Sequence, residues 1–227
     1  MTQPDEKEWL QKYLYLKDIK CPCCQEITKM TIARKSKARI EGRDSDFFIR
    51  YRELNLYFYE IWVCQYCGYA ALSNEYHNIK RDQIEKIKKN ITLNWQPRAN
   101  VIINDVDTAI DRYKLALLCY TQMDALSSQL GTLCLKLAWM YRLKIDINEE
   151  NRFLALALKQ LDYAYYVEPL PFYGLDKDHI MYLLGEIHRR LHHKSEALKS
   201  YSQVLASREA DQKLKELVRD QRELMDK

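Results

Sequence analysis

The chain has 227 residues, 47% hydrophobic and 30% charged, with a formal net charge of +4. That length allows one large or two modest packed domains, and so small a charge does not by itself demand a nucleic-acid partner. Five Gly and five Pro argue against sandwiches and barrels built on many turns, and no apolar run approaches the length of a membrane span. The polar, acidic stretch MTQPDEKEWLQKY does not read as a secretory signal. Seven Cys without such a signal point to a reducing cytoplasm, where paired thiols hold metal more often than they form disulfides. Seventeen Tyr against five Phe suit half-buried helix faces, since Tyr covers apolar surface and keeps a wet hydroxyl.

Residues 1–73 read as a small, metal-dependent β-containing module. CPCC (Cys21 to Cys24) and CQYCGYAA (Cys64 to Ala71) each carry a C-x-x-C pair, and KMTIA (29–33) and FYEIWVC (58–64) are short β-rich runs of the kind that lead into metal knuckles. A divalent zinc ion takes four soft ligands in a tetrahedron, and each C-x-x-C turn offers two sulfurs. Cys21, Cys24, Cys64 and Cys67 are therefore the expected ligands of a structural Zn²⁺, with Gly68 supplying the positive φ of a knuckle turn. The long gap between the pairs costs only about 0.6 kcal/mol per doubling of loop length. A redox dithiol is the rival, because C-P-x-C resembles the glutaredoxin motif. That motif sits at a strand-to-helix turn, whereas QEITKMTIARK has no helical stripe. Cys23 is the spare thiol, expected to face solvent. Cys119 and Cys134 fall on apolar helix faces as core residues.

Between the knuckles lies a basic, aromatic stretch. Arg34, Lys35, Lys37, Arg39 and Arg43, with Tyr51 and its aromatic neighbours, give the segment 34–59 the makings of a nucleic-acid surface. The plainer reading is that these cations offset an anionic Cys₄ site, that Arg43, Asp44 and Asp46 form an internal ion-pair and turn-capping network, and that the aromatics are core. Asp44 and Asp46 lack the nucleophile, glycine loop or H-E-x-x-H that would make an acid–base pair of them. No catalytic set emerges, and an enzyme is not expected.

From 74 to 227 the pattern is helical. Asn74 is placed to cap NEYHNIKRDQIEKIKKN, which Trp95-Gln96-Pro97 ends, and helices follow over about 101–121, 127–143, 149–167, 177–191, 194–207 and from 210. IMYLLGEIHRRLHHKSEALKSYSQVLAS resembles a tetratricopeptide unit, with Gly185 and Ala197 permitting close approach and Tyr201 filling the gap. Leu137, Ala138 and Tyr141 with Ala157, Leu161, Ala164 and Pro169 form a looser copy whose loop, KIDINEEN, reads as several residues too long; Ala109, Tyr113 and Ala116 match part of a third. A plain bundle explains the same spacing. In the repeat register, Trp139, Arg142, His179, Tyr182, Glu186, Arg189 and Arg190 line a groove suited to a peptide partner. Solvated arginines, with Glu186 pairing Arg190 at i,i+4, are the alternative. His188, His192 and His193 read as helix-end surface residues.

CPCC, the spaced Arg34 and Arg39, RDSDF at Arg43 to Phe47, Tyr51, and NLYFYEIWVCQYCGYAA from Asn55 to Ala71 together resemble the bacterial domain-of-unknown-function 2225 family, over about 20–76. Leu56 and Gln65 stand where that pattern has Pro, and Cys23 is atypical. The resemblance implies a cytosolic metal-binding protein with a tetratricopeptide-like remainder and no assigned reaction. The expectation is thus an α+β, mostly α chain: a Cys₄ zinc-ribbon-like module followed by antiparallel helices. It would serve as a scaffold for a protein partner, away from membranes. Nucleic-acid association through 34–59, or thiol redox chemistry at CPCC, are the alternatives.

Overall fold

The computed structural model describes residues 6–97 and 101–225. The chain packs as two compact units, one within 1–42 and 50–125, the other within 43–49 and 126–227.

In the first unit, helix α1 (Glu6–Tyr13) runs into strand β1 (Leu14–Lys20), which pairs antiparallel with β2 (Ile27–Ala33) from Leu14 opposite Ala33 to Lys20 opposite Ile27. Strand β3 (Ile40–Arg43) pairs with β4 (Ile49–Tyr51), and the segment 43–49 belongs to the second unit. A second antiparallel hairpin joins β5 (Ile61–Val63) to β6 (Ala70–Leu72), in register Trp62 opposite Ala71. The stretch 58–60, expected as strand, is instead part of a 3-10 turn and its cap, because Asn55 accepts a hydrogen bond from the Tyr57 amide and tightens the chain.

Helix α2 (Arg81–Asn90) is shorter than expected. Asn74 does not cap it. The amides of Glu75 and Asn78 close turns onto Leu72 and Glu75, and Tyr76 is fully buried against Tyr69, so burial of that ring holds residues 74–78 out of the helix. Helix α3 (Val106–Gln122) starts at Asp105, whose carboxylate accepts from the Thr108 amide. Its apolar face, Ala109, Tyr113, Ala116 and Tyr120, lies on β5 and β6 rather than forming half of a repeat. The Tyr120 hydroxyl accepts from Leu72 N at 3.3 Å and donates to Glu75 at 2.7 Å, while Tyr113 donates to Glu60 at 2.9 Å. Tyrosine thus supplies ring area and partners for polar groups around short strands, which accounts for the taste of this sequence for Tyr.

The second unit contains α4 (Ser127–Leu143), α5 (Ile147–Val167), α6 (Lys177–Arg190), α7 (Lys194–Ala206) and α8 (Gln212–Met225). Antiparallel pairing of α4 and α5 is fixed by small-to-large fits. A Cβ on Gly131 would come within 2.7 Å of Leu161, and Tyr141 stacks on Phe153 nearer the turn. The α6–α7 pair repeats the device: a Cβ on Gly185 would meet Tyr201 at 2.8 Å. Both pairs turn through a residue of positive φ, Ile145 at 62° and His192 at 62°. The α4–α5 connection is therefore not too long for a repeat. Asp146 caps α5 by accepting from the Glu149 amide, so INEEN is already helix.

The expected division at 73 follows the change from strand to helix in local structure. Packing divides the chain elsewhere, because α2 and α3 complete the core of the strand module and 43–49 packs with α4–α8.

Candidate metal centre and helical groove

Both C-x-x-C motifs sit in the turns of antiparallel hairpins, CPCC after β1 and CQYC after β5. The two turns share a backbone pattern. Cys21 N donates to Glu26 O at 2.9 Å and Gln25 N to Cys21 O at 2.9 Å; Cys64 N donates to Tyr69 O at 2.8 Å and Gly68 N to Cys64 O at 2.9 Å. The residue after each second cysteine is left-handed, Gln25 at φ 69° and Gly68 at φ 75°. Gly68 is required for a further reason: a Cβ there would lie 2.6 Å from the Trp95 ring, whose Nε1 donates to Gln65 O at 2.8 Å. Trp95 thus covers the second knuckle. CPCC leads into strand β2, not a helix, so the glutaredoxin arrangement is not the one this chain adopts.

The hairpins bring Cys21, Cys24, Cys64 and Cys67 together, with all four sulfurs within 4.8 Å of one another. Cys21 Sγ lies 3.7 Å from Cys67 Sγ, and Cys24 Sγ 3.5 Å from Cys64 Sγ. Metal–sulfur bonds of about 2.3 Å put the corners of a tetrahedron about 3.8 Å apart, so the spacing fits a tetrahedral ion and is far too long for disulfides, about 2.05 Å. Thr28 Oγ1, 3.9 Å from Cys64 Sγ, is a polar neighbour of the set.

The thiol chemistry of the cluster is divided. Hydrogen bonds from Cys23, Cys64 and Cys67 hold Cys21 far below the ordinary thiol range. Cys67 is pushed far up by hydrogen bonding to Cys21 and Cys64 and by burial, and burial pushes Cys24 up to about 12. Four sulfurs gathered this closely are a set that a divalent cation stabilises on displacing their protons. Cys23 does not face solvent. It is 4% exposed, and its thiol is pushed far up by hydrogen bonding to Cys21 and by burial. Cys119 and Cys134 are buried, both pushed up to about 12 by burial. Among the described residues, His188 and His193 face each other at 3.3 Å through Nδ1, outside any cluster of ligand type.

Within the helical unit, the residues expected to line a groove converge on the chain's own segment 43–49. Arg142 reaches Asp46 with Nη2 at 2.6 Å and Nη1 at 3.0 Å, Asp44 at 2.9 Å and Glu150 at 2.7 Å. Trp139 Nε1 donates to Asp46 at 3.0 Å, and Arg190 Nε lies 3.5 Å from Asp46 and 3.2 Å from Glu186. Glu186, fully buried, also meets Arg189 at 2.6 Å, accepts from Tyr201 at 2.8 Å and accepts from Ser45. Phe48 stacks on Trp139 at 5.4 Å; Phe47 packs against Tyr182 at 5.3 Å and His179 at 6.1 Å. Burial works to raise the Asp46 carboxyl, yet the Arg142 hydrogen bonds and charge, with Arg190 and Trp139, hold it below the usual range.

The acidic pair of RDSDF therefore does enter an internal ion network, with Arg142 and not the adjacent, exposed Arg43 as its main cation. Glu186 and Arg190 do pair at i,i+4. Sequence reasoning missed that Asp44, Ser45, Asp46 and Phe48 fill the groove. The available signal was a D-x-D followed by two aromatics in one chain with an arginine and a tryptophan on one helix face.

Arg34, Lys35, Lys37 and Arg39 are exposed around the turn after β2 and the start of β3, with Arg34 lying 5.0 Å over the half-exposed Tyr15 ring. Tyr51 is half-buried, edge-on to Tyr57. No described helix is long and apolar enough to cross a membrane.

Two hairpin knuckles presenting four sulfurs, in a chain that also carries a helical unit, define a protein with a four-cysteine cluster that can hold a metal ion. The chain belongs to the family described as "Uncharacterized protein conserved in bacteria" (DUF2225), whose sequence profile matches residues 14–225. No curated protein and no solved structure matched the chain.

Proposed function

We propose that this protein is a zinc-stapled scaffold of the bacterial cytoplasm that holds a segment of a partner protein in the groove of α4–α8. The observation that carries this reading is the convergence of Arg142, Trp139 and Tyr182 on one irregular stretch of chain, 43–49. A forked guanidinium gripping two carboxylates, beside aromatic faces that receive aromatic side chains, is how helical grooves recognise peptides. Zn²⁺ is favoured for the sulfur site because four thiolates in a tetrahedral set select it over harder divalent ions. Free thiols at all seven cysteines suit a reducing compartment.

The test is affinity capture of the full chain from nuclease-treated and untreated bacterial lysate, with bound species identified by mass. A defined protein that survives nuclease and is lost on Arg142→Ala supports the scaffold. Arg142→Ala takes a cation from fully buried Asp46, as Arg189→Ala would from Glu186, so the variant is first shown to be folded by circular dichroism. A second reading has one observation in its favour, the exposed run Arg34, Lys35, Lys37 and Arg39 beside Tyr15. If the protein acts on nucleic acid, capture disappears with nuclease, and Arg39→Ala lowers the salt slope of oligonucleotide binding by about 1.

A further inference from the structure

We infer that segment 43–49 is an internal occupant of a groove whose partner ligand is an acidic–aromatic segment of the form Asp-Ser/Thr-Asp followed by two aromatics, and that the partner binds by replacing it. The inference rests on the scaffold reading and specifies its ligand.

Each position of the motif follows from a contact. Arg142 spans Asp44 and Asp46, so two carboxylates one residue apart are needed. The residue between them faces Glu186, to which Ser45 donates; a third carboxylate there meets like charge, and an apolar residue leaves that acceptor a donor short. The next two positions meet Tyr182 and Trp139, each an aromatic face.

Three features mark the occupant as replaceable. Its hold on the groove combines the Arg142 ion pairs with Phe48 stacked on Trp139, and desolvation offsets much of the attraction of the buried ion pairs. Phe47 sits at φ 68°, a left-handed backbone that a bulky residue adopts only against strain. Beside the network, Glu150, Arg189 and Arg190 also line an open cleft of about 570 Å³ with His192, Lys194 and Leu224. A partner chain entering there finds room for flanking residues next to Arg190, which reaches Asp46 and Ser45. The same tethering that keeps the internal segment in place makes it a strong competitor, because a tethered ligand acts at an effective concentration on the order of millimolar.

The test uses the full chain and a synthetic peptide of residues 40–52, alongside the same peptide carrying Asp46→Asn. Each is titrated calorimetrically into wild-type protein and into a variant with Asp44→Asn, Asp46→Asn and Phe48→Ala, which vacates the groove. The expected result is binding to the vacated variant on the order of 100-fold tighter than to wild type, a raised melting temperature for that variant, and loss of both with the altered peptide. A folded variant that ignores the peptide overturns the inference and makes 43–49 a purely structural loop. Should the triple variant not fold, Asp44→Asn with Asp46→Asn replaces it, since these remove the carboxylates that Arg142 grips, with the same outcomes deciding.

Concentration-dependent dimers of wild type that dissolve on adding peptide mark a second copy as the occupant, and overturn the partner assignment. Lysate capture separates the two readings. A protein captured equally by wild type and a peptide-blind variant leaves the scaffold standing on another surface while this inference falls. Peptide binding with nothing captured by either form removes the scaffold and, with it, the external partner.

Discussion

Both units gather like-charged or charge-prone groups out of water, and they neutralise them by opposite means. In the strand module neighbouring thiols and burial are the largest influences on the clustered thiols, and the four sulfurs are gathered where a cation from outside can be held. In the helical unit four carboxylates, Asp44, Asp46, Glu150 and Glu186, are met by Arg142, Arg189 and Arg190 from the chain itself. The first centre can take an ion from outside; the second draws its counter-charges from the chain and needs the internal segment in place. One molecule therefore carries two centres with different failure modes.

The largest expected effect separates them at once. Stripping the ion, or making Cys64→Ser, removes a contribution that in small zinc peptides is on the order of 10–16 kcal/mol, and leaves the hairpins held by their packing on α3 and its neighbours alone. Proteolysis should then begin within 14–72, the strand region of the cluster; cleavage sites mapped by mass spectrometry check this. Simultaneous loss of the fold in both units breaks the comparison.

Next is Asp46→Ala, which takes a fully buried carboxylate from Arg142 and Arg190 but leaves them Asp44, Glu150 and Glu186, and should cost about 3 kcal/mol in urea unfolding, the low end for breaking a buried pair, with bound metal unchanged. The pH dependence has a definite sign. Because the Asp46 carboxyl is held below its usual range, its contribution is complete above about 3.9, the ordinary Asp value, and is lost as pH falls through the lower folded value. The stability gap between wild type and Asp46→Asn should accordingly narrow below about pH 4, in an acid titration followed by circular dichroism.

Gly185→Ala sharpens the repeat assignment. The added Cβ meets Tyr201 at 2.8 Å in a filled core, and overpacking of this kind costs about 1–3 kcal/mol. The smallest effect belongs to the exposed basic run: Lys35→Ala and Lys37→Ala should each change stability by less than about 0.5 kcal/mol.

The sulfur site and the helices were legible because their signatures are local. C-x-x-C spacing fixes two ligands within one turn, and the Gly185–Tyr201 fit is written into a repeat period. Strand β1 was overlooked, since LYLKDIK buries only Leu14 and Ile19, shows no alternation and looks polar. The positive φ at Gln25 left no glycine to announce it. The helix expected from Asn74 failed because burial of Tyr76, a tertiary effect, overrode a good local cap. Least legible was the tie between Asp46 and Arg142, 96 residues apart: ion pairs at that separation have no period, and the RDSDF carboxylates read equally well as caps or solvated charge.

The most direct test of the account is metal content per chain, measured by inductively coupled plasma mass spectrometry on protein purified under reducing conditions, with Cys24→Ser alongside. One equivalent of zinc in wild type and a large loss in the variant is the predicted result. Metal-free wild type that still keeps the β1–β2 and β5–β6 hairpins folded contradicts the claim that the strand module depends on an ion.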